Sequence, residues 1–99
     1  MKVASFNGVS EDLKSLGYEV VFLEDCKKNE KGFFILPEKK AVIRKRVYDD
    51  DCPYTMFISV SGDIKLGREM NKSLKSKGYY TNVLKVRKNI ITFTISNEL

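Results

Sequence analysis

Histidine is absent from this 99-residue chain, and that absence excludes a wide range of chemistry. Without an imidazole there is no histidine general acid or base, no Ser-His or Cys-His nucleophile pair and no histidine-containing metal site. Cysteine is scarce. Cys26 and Cys52 stand far apart, with no CxxC spacing and no metal-binding pattern. Lys27 and Lys28 beside Cys26 are placed to lower its pKa towards a thiolate, but the two cysteines are expected to be reduced or buried thiols. A Cys26–Cys52 disulfide is the alternative. Long apolar runs are also missing, so nothing approaches the length of a membrane span. Met1-Lys2 enters a short apolar stretch, and no secretory leader is expected. The expected setting is intracellular, in the cytoplasm, with no membrane association.

Phosphate-binding loops are lacking as well. Ser61-Gly62-Asp63 joins an expected strand to an expected helix, where free N–H groups can hold a phosphate. It has neither the longer glycine pattern nor the lysine of a P-loop, and Asp63 puts negative charge where the anion would sit. A capped helix start is the expected role. The acidic run Asp49-Asp50-Asp51, helped by Glu24 and Asp25, is the one carboxylate set suited to a divalent cation, as in a metal-dependent nuclease. Consecutive side chains diverge, however, and the run reads as a solvated loop that keeps a strand edge from pairing. We expect no catalytic residues, no bound metal and no cofactor.

Positive charge is what the chain has in excess. Eighteen Lys and Arg against thirteen Asp and Glu give a net charge of +5, a balance that permits binding to nucleic acid or another anionic partner. Three groups of basic residues stand out: Lys39, Lys40, Arg44, Lys45 and Arg46; then Lys65, Arg68, Lys72 and Lys75; then Lys85, Arg87 and Lys88. Arg44 and Arg46 share one strand face beside Tyr48, and arginine with tyrosine suits phosphate pairing and base stacking. Tyr54, Phe57, Tyr79, Tyr80 and Phe93 lie on or beside expected strands and are further candidates for stacking, although no stretch matches the RNP1 pattern of an RRM.

Hydrophobic residues make up 42% of the chain and charged residues 31%, enough for one globular domain over residues 1–99. Residues 2–6 read as a strand, followed by an Asn7-Gly8 break. Ser10 with Glu11 and Asp12 marks a helix start, Val9, Leu13 and Leu16 supply its apolar stripe, and Gly17 ends it after about two turns. Strands are expected at 18–23, 33–36, 41–48 and 54–60, with polar loops at 25–32 and 49–53. A second helix spans about 63–77, capped by Ser61 or Asp63 and closed by Gly78. At about 100° per residue, Leu66, Met70 and Leu74 share a face with Gly67, and Lys65, Arg68, Lys72 and Lys75 form a neighbouring stripe. A closing hairpin pairs 79–86 with 90–95, where Ile91, Phe93 and Ile95 alternate with Thr92 and Thr94.

Two stretches recur. Residues 2–8 resemble 56–62, and Leu13-Lys14-Ser15-Leu16-Gly17-Tyr18 matches Leu74-Lys75-Ser76-Lys77-Gly78-Tyr79 at five of six positions. The offset grows from 54 to 61, and the seven extra residues equal about two helical turns. This points to a duplicated unit, with halves at about 2–37 and 55–97. The expected fold is α+β: two helices on one face of a mostly antiparallel sheet. Its core is a ferredoxin-like β-α-β-β-α-β arrangement, with an extra middle hairpin and a C-terminal strand.

On this basis the expected function is non-enzymatic binding of DNA or RNA, phosphate-directed and weakly sequence-selective. The expected binding residues are Arg44, Lys45, Arg46, Arg87 and Lys88, then Lys65, Arg68, Lys72 and Lys75. The alternative is a protein-interaction module, such as a homodimer formed through a sheet edge or the open sheet face.

Overall fold

A computed structural model of the chain describes residues 5–45 and 56–96. Two helices, α1 (Phe6–Ser15) and α2 (Ile64–Ser76), pack on a five-stranded sheet. The strands are β1 (Val20–Phe22), β2 (Ala41–Lys45), β3 (Met56–Ser61), β4 (Tyr80–Arg87) and β5 (Ile90–Ser96), in the order β1-β2-β3-β5-β4. No helix among the described residues is long and apolar enough to cross a membrane.

The first helix starts earlier than its sequence signature indicates. Ser5, not Ser10, is the N-cap, and its Oγ accepts a hydrogen bond from the Gly8 N–H at 3.1 Å. Asn7-Gly8, expected as a break, forms the first turn instead. The longer helix brings Phe6 into the stripe of Val9 and Leu13, and the Phe6 ring meets Phe22 of β1 edge-on at 5.5 Å. Ser10 is buried within the helix. The similarity of residues 2–8 to 56–62 therefore has no structural counterpart at its end, because 6–8 are helical where β3 is extended. The two helices differ by three residues, 13 against 10, not by seven.

The recurring hexapeptide does fold the same way twice. The Gly17 N–H bonds to the Lys14 carbonyl and the Tyr18 N–H to the Leu13 carbonyl, each at 3.0 Å. At the end of α2, Gly78 bonds to Lys75 at 3.0 Å and Tyr79 to Leu74 at 3.2 Å. Gly17 and Gly78 take φ of 92° and 101°, which an L side chain rarely adopts. Each helix thus ends in a Schellman motif, with a tyrosine folding back over a buried leucine.

Three of the four strand pairings are antiparallel; β1 and β2 run parallel. Because β5 is antiparallel to both of its neighbours, β3 and β4 are parallel to each other and α2 bridges them across β5. The C-terminal strand is therefore an interior strand rather than an appendage to the sheet. Among the described residues, the order does not interleave two βαβ units as a ferredoxin-like plait does. The expected strand at 33–36 is also absent. Phe34 makes a single bridge to Lys28, and the Asn29 side chain accepts the Lys31 and Phe33 N–H groups, closing a tight loop over Asn29–Gly32.

Burial alternates along β3 and β5. Met56, Ile58 and Val60 join Ile91, Phe93 and Ile95 on the face beneath the helices, with Ile43, Met70 and Leu74 completing the core. Tyr79 ties the helices together at one end of this layer. Its hydroxyl donates to Asp12 Oδ2 at 2.5 Å, and Lys77 approaches the other oxygen of that carboxylate at 3.9 Å. Burial, together with the Asp12 hydrogen bond and charge, holds the phenol well above the usual tyrosine range.

This shift makes stability depend on pH. A group whose folded pKa is raised contributes stability that is complete below its unfolded pKa, about 10 for tyrosine. That contribution is lost as the pH climbs from there towards the folded value. Tyr79→Phe is expected to cost about 1–3 kcal/mol near neutral pH and to flatten the loss of stability above pH about 10. Denaturant titrations at pH 7 and pH 11 check both effects; equal slopes for the two proteins would refute the assignment.

Candidate nucleic-acid interface

The register of the sheet sorts its cations onto two opposite sides. Arg44 pairs across with Phe57, which pairs with Thr94 and so with Asn82. The next row of the same face is Val42, Ser59, Thr92 and Lys85, and the row beyond it holds Ser61, Ile90 and Arg87. Directly opposed residues share a face, so Arg44, Lys85 and Arg87 all lie on the side away from the helices.

On that side a groove of about 370 Å³ crosses the sheet. Its floor is Val42, Phe57, Ser59 and Thr92. Leu23, Phe34 and Leu36 wall it at the β2 side, and Leu84 and Lys85 at the β4 side. Leu84 reaches the wall because a β-bulge between Val83 and Lys85 inserts it as an extra residue, leaving it 60% exposed. The Arg44 guanidinium sits 4.7 Å from the centre of the Phe57 ring, and the Lys28 ammonium 4.8 Å from that of Phe34. Both are cation–π pairs; Arg44, Phe57 and Phe34 line the groove, and Lys28 covers the Phe34 ring from outside the lining. The Ser59 and Thr92 hydroxyls bond to each other at 2.8 Å on the floor. No lining residue is acidic, and among the described residues neither Arg44 nor Lys85 makes an ion pair.

The other candidates fall differently. Lys65, Arg68, Lys72 and Lys75 are exposed on α2, while Gly67, Met70 and Leu74 of that helix are buried against the sheet. The stripe is therefore on the far side from the groove, and one ligand segment on the groove does not reach it. Lys88 occupies the β4–β5 turn with φ of 55°, next to Arg87. Lys45 ends β2. Arg46, Tyr48, the acidic run 49–51, Cys52 and Tyr54 lie outside the described residues. Of the remaining stacking candidates, Tyr79 and Phe93 are buried core residues and offer no platform. Phe57 is half-buried on the open face, and Tyr80 is exposed.

Other sequence candidates resolve locally. Asp63 caps α2 by accepting the Leu66 N–H at 3.0 Å, which places a carboxylate at the helix start. Cys26 is a free thiol, pushed up rather than down, first by burial and then by the charge of Asp25. The neighbouring lysines do not make it a thiolate. Among the described residues no cluster of carboxylates or thiols is set to hold a metal ion.

Sequence reasoning missed the apolar wall. Phe33-Phe34-Ile35-Leu36 has the composition of a strand, yet it returns from a tight loop and sends Phe34 and Leu36 into the groove. The available signal was Asn29-Glu30-Lys31-Gly32, whose turn chemistry brings the segment after it back beside the segment before it. Compared with known proteins, the chain matches no protein-family model, no curated protein and no solved structure.

Proposed function

We propose that this protein binds nucleic acid without catalysing a reaction, using the open face of its sheet. The observation that carries this reading is the Arg44–Phe57 pair at 4.7 Å inside a groove with a second cation, Lys85, and no acidic lining. An arginine over an aromatic ring attracts phosphate while presenting a flat surface to a base. Contacts of this kind give phosphate-directed, salt-sensitive and weakly sequence-selective binding, consistent with the net charge of +5. The cytoplasm is the setting this reading assigns. The two matching Schellman ends support reading the fold as a duplicated unit with halves at about 2–37 and 55–97.

Fluorescence-anisotropy titration against DNA and RNA at low and physiological salt, with polyglutamate as a competitor, tests the reading. Binding is expected to survive physiological salt, to resist polyglutamate and to weaken at least about fivefold in Arg44→Glu, with little change in melting temperature. Binding seen only at low salt and displaced by any polyanion would defeat it.

One observation favours a second reading. β4 is an edge of the described sheet and carries exposed Tyr80, Val83, Leu84 and Val86, a surface suited to pairing with another chain. Light scattering showing a dimer, together with nucleic-acid affinity indifferent to Arg44, would transfer the function to that edge.

A further inference from the structure

Resting on the proposed nucleic-acid function, we infer that the groove admits an unpaired base, so that the protein selects single-stranded over duplex nucleic acid. At about 370 Å³, the groove lies at the small end of ordinary ligand sites and is closed on two sides. Its walls supply what a free base seeks. The Arg44 guanidinium, already backed by Phe57 at 4.7 Å, offers its outer surface as a stacking plane. Phe34, held beneath Lys28 at 4.8 Å, offers a second ring on the β2-side wall. Leu36 and Leu84 cover the base edges with apolar surface.

The floor supplies polar contacts without dictating which base enters. Ser59 and Thr92 share one hydrogen bond at 2.8 Å. Each hydroxyl has one proton and two lone pairs, so the pair retains a donor and several acceptor positions for a base edge. Rotatable hydroxyls suit purines and pyrimidines alike, as expected of a weakly selective binder. Lys85 at the rim, with Arg87 in the next row of the same face, is placed for the flanking phosphates.

A duplex cannot use this arrangement. Its base faces are covered by their neighbours, and presenting one to Arg44 costs a few kcal/mol of unstacking and unpairing. A duplex would meet the cations through phosphates alone. Base stacking on such a platform is worth about 1–3 kcal/mol, which at 1.4 kcal/mol per tenfold is roughly 5- to 140-fold in affinity.

The test compares oligonucleotides of one sequence as single strands and as duplexes, in DNA and RNA, at physiological salt, with 2-aminopurine at one internal position. Wild type and Arg44→Lys are measured together. Lysine preserves the charge but removes the planar guanidinium, and Arg44 is exposed, so the fold is untouched. Expected are fivefold or greater preference for the single strand, altered 2-aminopurine fluorescence on binding, and loss of most of that preference in Arg44→Lys, with single-strand affinity falling further than duplex affinity. Equal affinity for single strand and duplex, or an Arg44→Lys variant that keeps the preference, would overturn the base pocket while leaving phosphate-directed binding intact. Failure of every nucleic acid to bind would remove the functional reading itself, and this inference with it.

Discussion

Gly67→Ala is expected to destabilise the protein by about 1–3 kcal/mol, although the same change in an ordinary exposed helix position stabilises by roughly 1 kcal/mol. The sign reverses because α2 lies on the sheet at Gly67. A Cβ there would stand 2.1 Å from Ile91 Cγ2 and 3.3 Å from Val60 Cβ. Both neighbours are fully buried, on adjacent strands β3 and β5, so neither has free space to retreat into. The helix must lift, and the packing of Met70 and Leu74 lifts with it. A larger residue such as leucine should prevent folding.

Urea unfolding of Gly67→Ala, Ile91→Ala and the double variant provides the check. Ile91→Ala alone costs about 2–5 kcal/mol as a cavity, and in the double variant the new methyl fills part of that cavity. The double loss should therefore fall well short of the sum. An unfolding midpoint for Gly67→Ala above that of wild type would mean that the helix and sheet are not in contact there.

That contact was half legible in the sequence. The helical spacing of Gly67, Met70 and Leu74 announced a buried face, and the alternation of Ile91, Phe93 and Ile95 announced the surface beneath it. What periodicity cannot supply is register between elements remote in sequence, which decides that Gly67 meets Ile91. The same gap explains the strand order. The hairpin joining β4 to β5 is local and legible, but its insertion beside β3 depends on the parallel crossover made by α2, and no local signal encodes it. The start of α1 was hidden for a different reason. Asn7-Gly8 carries strong break chemistry, yet a serine at 5 and the burial of Phe6 against Phe22 outweigh the poor helix propensity of two residues.

The candidate site was legible in its cations and not in its shape. Arg44 and Arg87 could be named from charge and strand alternation, and the register places both on the open face. Leu84 enters the groove through a bulge, and a bulge has no signature in Tyr80–Arg87 beyond a run of exposed apolar residues. Phe34 and Leu36 enter through a loop whose composition resembles a strand. The pairs Arg44–Phe57 and Ser59–Thr92 form between strands, so each exists only once the register is set.

The decisive expectation concerns which of the two basic surfaces carries binding. Arg44, Lys85 and Arg87 are changed to glutamine in one variant, and Lys65, Arg68 and Lys72 in another. Each removes three positive charges, taking the net charge from +5 to +2, so the long-range field weakens equally and only local contacts differ. All six side chains are exposed, which leaves the core intact in both proteins. Charge effects reach only about 8 Å at physiological salt, and the α2 stripe stands behind the sheet from the groove.

The open-face variant should therefore lose tenfold to a hundredfold or more in single-strand affinity. Its salt dependence should also become shallower by roughly 2, near 0.7 for each phosphate contact removed. The helix variant should stay within about threefold of wild type, with its salt slope nearly unchanged. Anisotropy titrations between 50 and about 200 mM salt, the range over which counterion release is commonly read, measure both quantities. If the helix variant fell as far as the open-face variant, the ligand would run along α2 and the groove would not be the interface. If neither changed, the positive charge of this chain would be a property of its solubility.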